Sequence, residues 1–149
     1  MNAVQKYEVK EKYNIKVYMG KYDKKEFYGQ MGEFFADRNY RKQLPYLIND
    51  IDKIWYLVYD KNKFIGFFGV KICTENTLIS DIYFEDAPNK INAFKYTAEF
   101  LVDLYQEEEL KVLTKIKEEQ NIWLKLGFVK AGTRGNYLIL IKEGKKWNQ

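Results

Sequence analysis

The sequence predicts a single α/β domain with a mixed, mostly antiparallel twisted sheet, a central strand–helix–strand crossover and flanking helices. Three observations carry that expectation. Thr77–Phe84 (TLISDIYF) is β-branched and aromatic, breaks at Glu85-Asp86-Ala87-Pro88-Asn89, and is followed by Ile91, Phe94, Ala98, Leu101, Val102 and Tyr105 at helical spacing. Ile54–Tyr59 (IWYLVY) and Phe64–Cys73 (FIGFFGVKIC) are separated only by Asp60-Lys61-Asn62-Lys63, the pattern of an antiparallel hairpin. Leu110–Ile116 (LKVLTKI) alternates as a strand, and the helix joining it to Thr77–Phe84 makes those two strands parallel.

Taken in order, residues 1–12 are polar with isolated Val4, Tyr7 and Val9, a loose lead-in. Asn14–Met19 alternates as a first strand. Asp23-Lys24-Lys25-Glu26 has capping-box spacing, and Phe27, Met31, Phe34 and Phe35 mark one face of the helix that follows. Asp37-Arg38-Asn39 interrupts it. A second helical stretch near Tyr40–Ile51 carries Leu44, Leu47, Ile48 and Ile51, with Pro45 in its first turn or dividing it. Gly66 and Gly69 are unusual inside a strand and mark a bulge or a close approach to the backbone. Glu118–Leu126 is a short helix stopped by Gly127, a natural left-handed cap. Phe128–Ala131 and Tyr137–Lys142 are the last strands, joined by a turn over Gly132–Asn136. Glu143–Gln149 is a mobile tail that Trp147 could anchor, and no repeat or linker divides the chain into further domains.

Composition excludes more than it proposes. A chain of 149 residues, 46% hydrophobic and 17% aromatic, builds its own core and is not disordered. The sequence has no histidine and one cysteine, so histidine triads, histidine metal sites and zinc centres are excluded. No GxxxxGK[ST] or GxGxxG occurs, no apolar run reaches membrane-spanning length, and the charged start is unlike a signal peptide. Cys73 cannot form an internal disulfide, suits a reducing, cytoplasmic setting, and is read as a small buried hydrophobe. The net charge of +4 is spread over scattered lysines, as on a solvated surface. Chemistry therefore rests on carboxylates, tyrosines, lysines and backbone groups. One place stands out: a helix that starts just beyond a strand's end aims free N–H groups and its dipole at an anion.

Three stretches within residues 14–142 resemble the GCN5-related N-acetyltransferase (GNAT) family. Trp55–Ile72 looks like its second and third strands, with Gly66 early in the third. Ile79–Tyr105 looks like its acyl-CoA-binding strand, loop and helix. Ile122–Gly132, with Leu126-Gly127-Phe128, looks like its closing segment. The resemblance implies acetyl transfer from acetyl-CoA, without a metal, to an amine of an unidentified small molecule or protein. It implies that Thr77–Phe84 and Leu110–Ile116 splay apart, that the backbone of Ile82, Tyr83 and Phe84 pairs with pantetheine, and that Asn89, Lys90, Ile91, Asn92, Ala93 and Phe94 form the pyrophosphate loop. It places Tyr28, Phe34, Phe35, Tyr40 and Tyr46 in the acceptor wall.

Two positions depart from the family's pattern. Phe94 stands where that loop has a small residue; Asn92 can replace a left-handed glycine, and Lys90 or Lys95 supplies charge. Trp123 stands where the family commonly has the tyrosine that protonates the leaving thiolate, and an indole cannot be an acid there. Asp81 and Ser80 lie next to the expected cleft, where a base would deprotonate the amine; the simpler reading of Asp81 is a solvent-facing carboxylate. Alternation leaves Tyr83 facing either cleft or core. Two rival readings follow: a GNAT-shaped binding or regulatory protein without the cofactor, and a nucleic-acid role of the kind small phage GNAT-like domains suggest, which only charge and aromatics favour. Oligomeric state is open, a dimer included.

Overall fold

A computed structural model describes residues 4–8, 13–44, 47–115 and 118–145, the first segment as backbone. Among them eight strands form one sheet: β1 (Val4–Glu8), β2 (Tyr13–Tyr18), β3 (Lys53–Asp60), β4 (Lys63–Ile72), β5 (Thr77–Phe84), β6 (Leu110–Thr114), β7 (Val129–Arg134) and β8 (Tyr137–Lys142). Their order is β1-β2-β3-β4-β5-β6-β8-β7, antiparallel throughout except for the parallel β5–β6 pair at the crossover. The helices are α1 (Lys24–Ala36), α2 (Arg38–Gln43), α3 (Lys90–Leu104) and α4 (Glu118–Lys125). None of them is long and apolar enough to cross a membrane.

Both faces of the sheet are covered, which is why β3 is buried at Trp55, Tyr56, Leu57 and Val58 without alternation. On one face Tyr56, Val58, Phe68, Val70 and Ile79 pack against Ala93, Phe94, Ala98 and Leu101 of α3 and Trp123 of α4. On the other, Tyr18, Trp55, Leu57 and Phe67 pack against Phe27, Met31 and Phe34 of α1 and Leu44 after α2. Asp23 caps α1, its Oδ1 accepting from the N–H groups of Lys25 and Glu26 at 2.9 and 3.2 Å. Gly127 takes φ +103° at the end of α4, and the Trp123 carbonyl accepts from the N–H groups of Leu126 and Phe128.

The expectations that fail do so for local reasons. The lead-in is not wholly loose: β1 pairs with β2 from Val4↔Tyr18 to Glu8↔Asn14. The second helix is short. It ends at Gln43, because the residue before Pro45 is pushed out of helical geometry, and Leu44 sits at φ −127°, ψ 66°. Ile48 and Ile51 are consequently exposed, not core. Both hairpin turns are tighter than expected, with Asp60↔Lys63 and Arg134↔Tyr137 already paired. Cys73 is exposed, since β4 ends at Ile72 and the Cys73 N–H turns the chain by donating to Asn76. On α3, Ile91 faces outward and Ala93 and Thr97 complete the buried stripe. The start of the tail is docked: the Lys145 N–H donates to the Gln106 carbonyl at 2.7 Å. Pro45, Tyr46, Ile116 and Trp147 lie outside the described residues.

Candidate active site at the parting of two strands

The parallel pairing of β5 with β6 lasts only three residues, Thr77↔Leu110, Leu78↔Lys111 and Ile79↔Val112. Beyond it, Ser80–Phe84 pairs on the β4 side alone. The cause is a bulge. Phe67 pairs with Tyr83 and Gly69 with Ser80, so Asp81 and Ile82 together oppose Phe68. Asp81 carries the extra turn at φ +53°, a conformation that costs a non-glycine residue about 1–3 kcal/mol.

The two glycines of β4 make this possible. A Cβ on Gly66 would lie 2.5 Å from the Tyr83 carbonyl oxygen, and one on Gly69 would lie 2.9 Å from Trp55 and 3.2 Å from Asp81. The close approach expected of Gly66 and Gly69 is thus made by β5 itself.

The bulge also resets which way side chains point. Ile79, Ile82 and Phe84 join the α3/α4 face, whereas Tyr83 joins the α1/α2 face among Phe34, Tyr40 and Phe67. Burial, with Tyr40 beside it, pushes the Tyr83 hydroxyl up to about 12, so it stays a neutral donor. Asp81 does not face solvent. Its Oδ2 accepts from Lys53 Nζ at 2.5 Å, with the two side chains 3% and 5% exposed. Burial pushes the Asp81 carboxyl up, and the Lys53 ammonium opposes that shift. Ser80, Asp81, Leu44, Leu113 and Tyr137 line a small cavity where the strands part. Tyr137 closes it by donating its hydroxyl to the Gln43 carbonyl at 3.3 Å.

Of the expected acceptor wall, Phe34, Phe35 and Tyr40 pack into the α1/α2 cluster and Tyr28 stays exposed. Asn49 ties the chain after α2 over that face. It donates to the Tyr22 and Tyr28 hydroxyls and accepts from Trp55 Nε1 at 2.9 Å.

On the opposite face the start of α3 is open. Asn89 makes no side-chain cap; its Nδ2 donates instead to Asp60 at 2.8 Å. The Lys90 N–H is taken by the Ala87 carbonyl, and the N–H groups of Ile91 and Asn92 meet no acceptor among the described residues. Ile91, Asn92 and Lys95 border a cleft of about 470 Å³, whose far wall is Asn121, Ile122 and Lys125 of α4. Ala93 and Phe94 point the other way, into the core. Phe94 is 1% exposed, its ring 5.8 Å from Trp123, 5.5 Å from Phe84 and 5.4 Å from Phe68. Its bulk therefore leaves the cleft clear and fills the space beneath it. Trp123 is fully buried, and its Nε1 has no partner among the described residues.

The sequence reading missed Glu119, whose carboxyl accepts from Thr114 Oγ1 at 3.1 Å. Burial pushes this carboxyl up, against the pull of Thr114, Lys115 and Lys90. The available signal was its spacing of four before Trp123, which puts a carboxyl on the buried face of α4.

No family model matches the sequence, and no curated protein does. Solved structures do. The ribosomal-protein-S5-alanine acetyltransferase from Vibrio fischeri is 14% identical with a TM-score of 0.62, covering 97% of this chain and 100% of its own. Escherichia coli ElaA is 12% identical with a TM-score of 0.57, over 81% and 92%. An acetyltransferase of the GNAT family from Bacillus cereus is 14% identical with a TM-score of 0.56, over 89% and 99%. At these identities the likeness is one of fold: the chain has the GNAT fold.

Proposed function

We propose that the protein is an N-acyltransferase that moves an acyl group, acetyl in the simplest case, from a CoA thioester to an amine held in the same complex. The observation that carries this reading is the three-residue β5–β6 pairing. It leaves the edge of β5 unpaired directly beside the two open N–H groups of α3. An extended thioester arm can pair with that edge as an added strand would. An anionic end can settle on the helix start.

In this reading the N–H groups of Ile91 and Asn92 take the pyrophosphate, and Lys95 and Lys125 across the cleft add charge. Asn89, committed to Asp60, and Lys90 shape the turn. The backbone of Ile82, Tyr83 and Phe84 holds the pantetheine amides. The acyl-CoA supplies an activated carbonyl, which preorganised strand N–H groups polarise. On the α1/α2 face, Asp81 receives the amine's proton directly or through Ser80 or water. Lys53, 2.5 Å away, opposes the protonation that burial favours there. Tyr83, neutral at working pH, serves as wall and donor, not as base. An exposed free thiol at Cys73 suits a reducing, cytoplasmic setting.

A second reading, a binding protein of this fold without catalysis, is favoured by one observation. The rings of Phe68, Phe84, Phe94 and Trp123 pack closely beneath the cleft, where the thioester end of a CoA would have to pass. Thermal unfolding with acetyl-CoA decides between them. At about a hundred times its dissociation constant the ligand adds roughly 2.7 kcal/mol, a rise of about 5 °C or more. Asn92→Pro, which deletes one open donor, should abolish the shift, and Lys90→Ala should weaken binding about tenfold or less. No shift at millimolar acetyl-CoA selects the binding protein; equal shifts in parent and both variants put the anion site elsewhere.

A further inference from the structure

Glu119 is a half-buried carboxyl with no ion pair among the described residues. It lies one helical turn before Trp123, so the two share the inner face of α4. Thr114, the last residue of β6 and 1% exposed, donates to Glu119 Oε1 at 3.1 Å. Because β5 and β6 part after Ile79 and Val112, Thr114 stands on the open side of the gap and pins Glu119 there. The charged groups facing Glu119 are Lys90 at the start of α3 and Lys115 in the link out of β6. Neither approaches within salt-bridge distance among the described residues. A carboxylate in a helix's first turn is ordinarily favoured in its charged form by the dipole. Burial opposes that here and favours the protonated acid.

We infer that Glu119 is the proton donor to the departing thiolate, taking the part that the indole of Trp123 cannot take. The inference rests on the acyl-transfer reading above. As the amine nitrogen bonds to the acyl carbon, the C–S bond breaks and its electron pair leaves on sulfur. The Glu119 O–H proton passes to that sulfur, giving a thiol and a carboxylate, and solvent returns the proton before the next turnover. The proton lost by the amine goes separately, to Asp81 or water. Thr114 can bond the carboxyl oxygen in both states, so the group stays aimed while its charge changes.

The test is Glu119→Gln, which keeps the shape and can still accept from Thr114. Three quantities are measured: melting temperature without ligand across pH, the melting shift with acetyl-CoA, and single-turnover transfer to an accepted amine across pH. Transfer should fall about 10²-fold, the low end for a positioned acid, because a thiolate with a pKa near about 8.5 leaves tolerably unaided. The parent's rate should decline as pH rises through the Glu119 pKa, and the variant's should lose that limb. The stability readout has the opposite sign to a structural defect. A carboxyl whose folded pKa is raised stabilises the protonated fold and loses that contribution as pH rises, so the variant should gain on the parent toward neutral pH. A rate unchanged in the variant, or a melting temperature lowered at every pH with a loss of acetyl-CoA binding, overturns the inference alone. A parent that binds no acetyl-CoA overturns the transfer reading and this inference with it.

Discussion

Lys53 and Asp81 are the residues where burial and charge are most at odds. Two unlike charges, 5% and 3% exposed, sit beneath the strand edge proposed to hold the thioester. Removing one partner of such a pair is expected to cost about 3–5 kcal/mol, because the other charge is left without compensation. Lys53→Met should therefore destabilise strongly at neutral pH. It should also make stability depend on acid. Asp81, already pushed up by burial, would lose the ammonium that opposes the shift, so its folded pKa rises further above its unfolded value. Its contribution then falls as pH rises through that folded pKa, and the deficit should shrink on acidification. Urea denaturation of parent and variant at mildly acidic and mildly alkaline pH checks this; a deficit independent of pH would mean that Asp81 is not the group left exposed. Little of this was legible beforehand. Alternation puts Asp81 on a strand, but only the bulge, which no residue type announces at Asp81-Ile82, turns it inward to Lys53, 28 positions away.

At the scale of elements, the readable parts were those where one local rule dominates. Thr77–Phe84 is the strand its residue types demand, and Asp23 caps α1 as its spacing requires. Where two rules competed, the reading drifted. Leu44, Leu47, Ile48 and Ile51 suggest a helix face, yet Pro45 wins and α2 stops after one and a half turns. Gly66 and Gly69 mark a bulge or a close approach in the sequence, and the structure shows both, but nothing in the residue types names β5 as the partner. That partner makes a prediction for the β4–β5 pair. Gly66→Ala would set a methyl 2.5 Å from the Tyr83 carbonyl and 2.6 Å from the Phe84 ring. The strands must separate to admit it. Stability should fall by about 1–3 kcal/mol, the usual range for overpacking, and acetyl-CoA binding should weaken beyond that loss because the Ile82–Phe84 backbone moves. Differential scanning fluorimetry with and without ligand separates the effects. A variant that melts like the parent would show that the pair is looser than its geometry.

For the whole molecule, aromatic side chains join the layers, and several are phenols wholly or partly buried. Tyr83 is raised to about 12, chiefly by burial, and Tyr18 and Tyr59 are also raised by burial, with Glu26 adding to each. A phenol that resists ionisation in the fold ionises near its ordinary pKa of about 10 once unfolded. Stability contributed by these groups is complete below that pH and is lost as pH climbs above it. Above about pH 9 the melting temperature should fall steeply, with phenolate absorbance appearing together with unfolding. Phenolate forming well before unfolding would place those hydroxyls in water. The composition showed many tyrosines, but not which would be enclosed, because enclosure depends on two helical layers meeting the sheet from opposite sides.

The bulge has one more consequence, concerning phase. β5 is two half-strands written out of step, Thr77–Ser80 in one frame and Ile82–Phe84 in the next, with Asp81 as the inserted beat. The extra beat is absorbed opposite Phe68, so Tyr83 and Phe84 still meet Phe67 and Gly66 in step. Deleting Asp81 would leave Ile82 alone opposite Phe68 and Tyr83 still opposite Phe67, so the downstream rings would keep their faces, while the residue with positive φ would be gone and the ladder would be more regular. Regularity and the open edge are thus alternatives here. A lineage drifting toward the smoother strand would keep the architecture and close the opening.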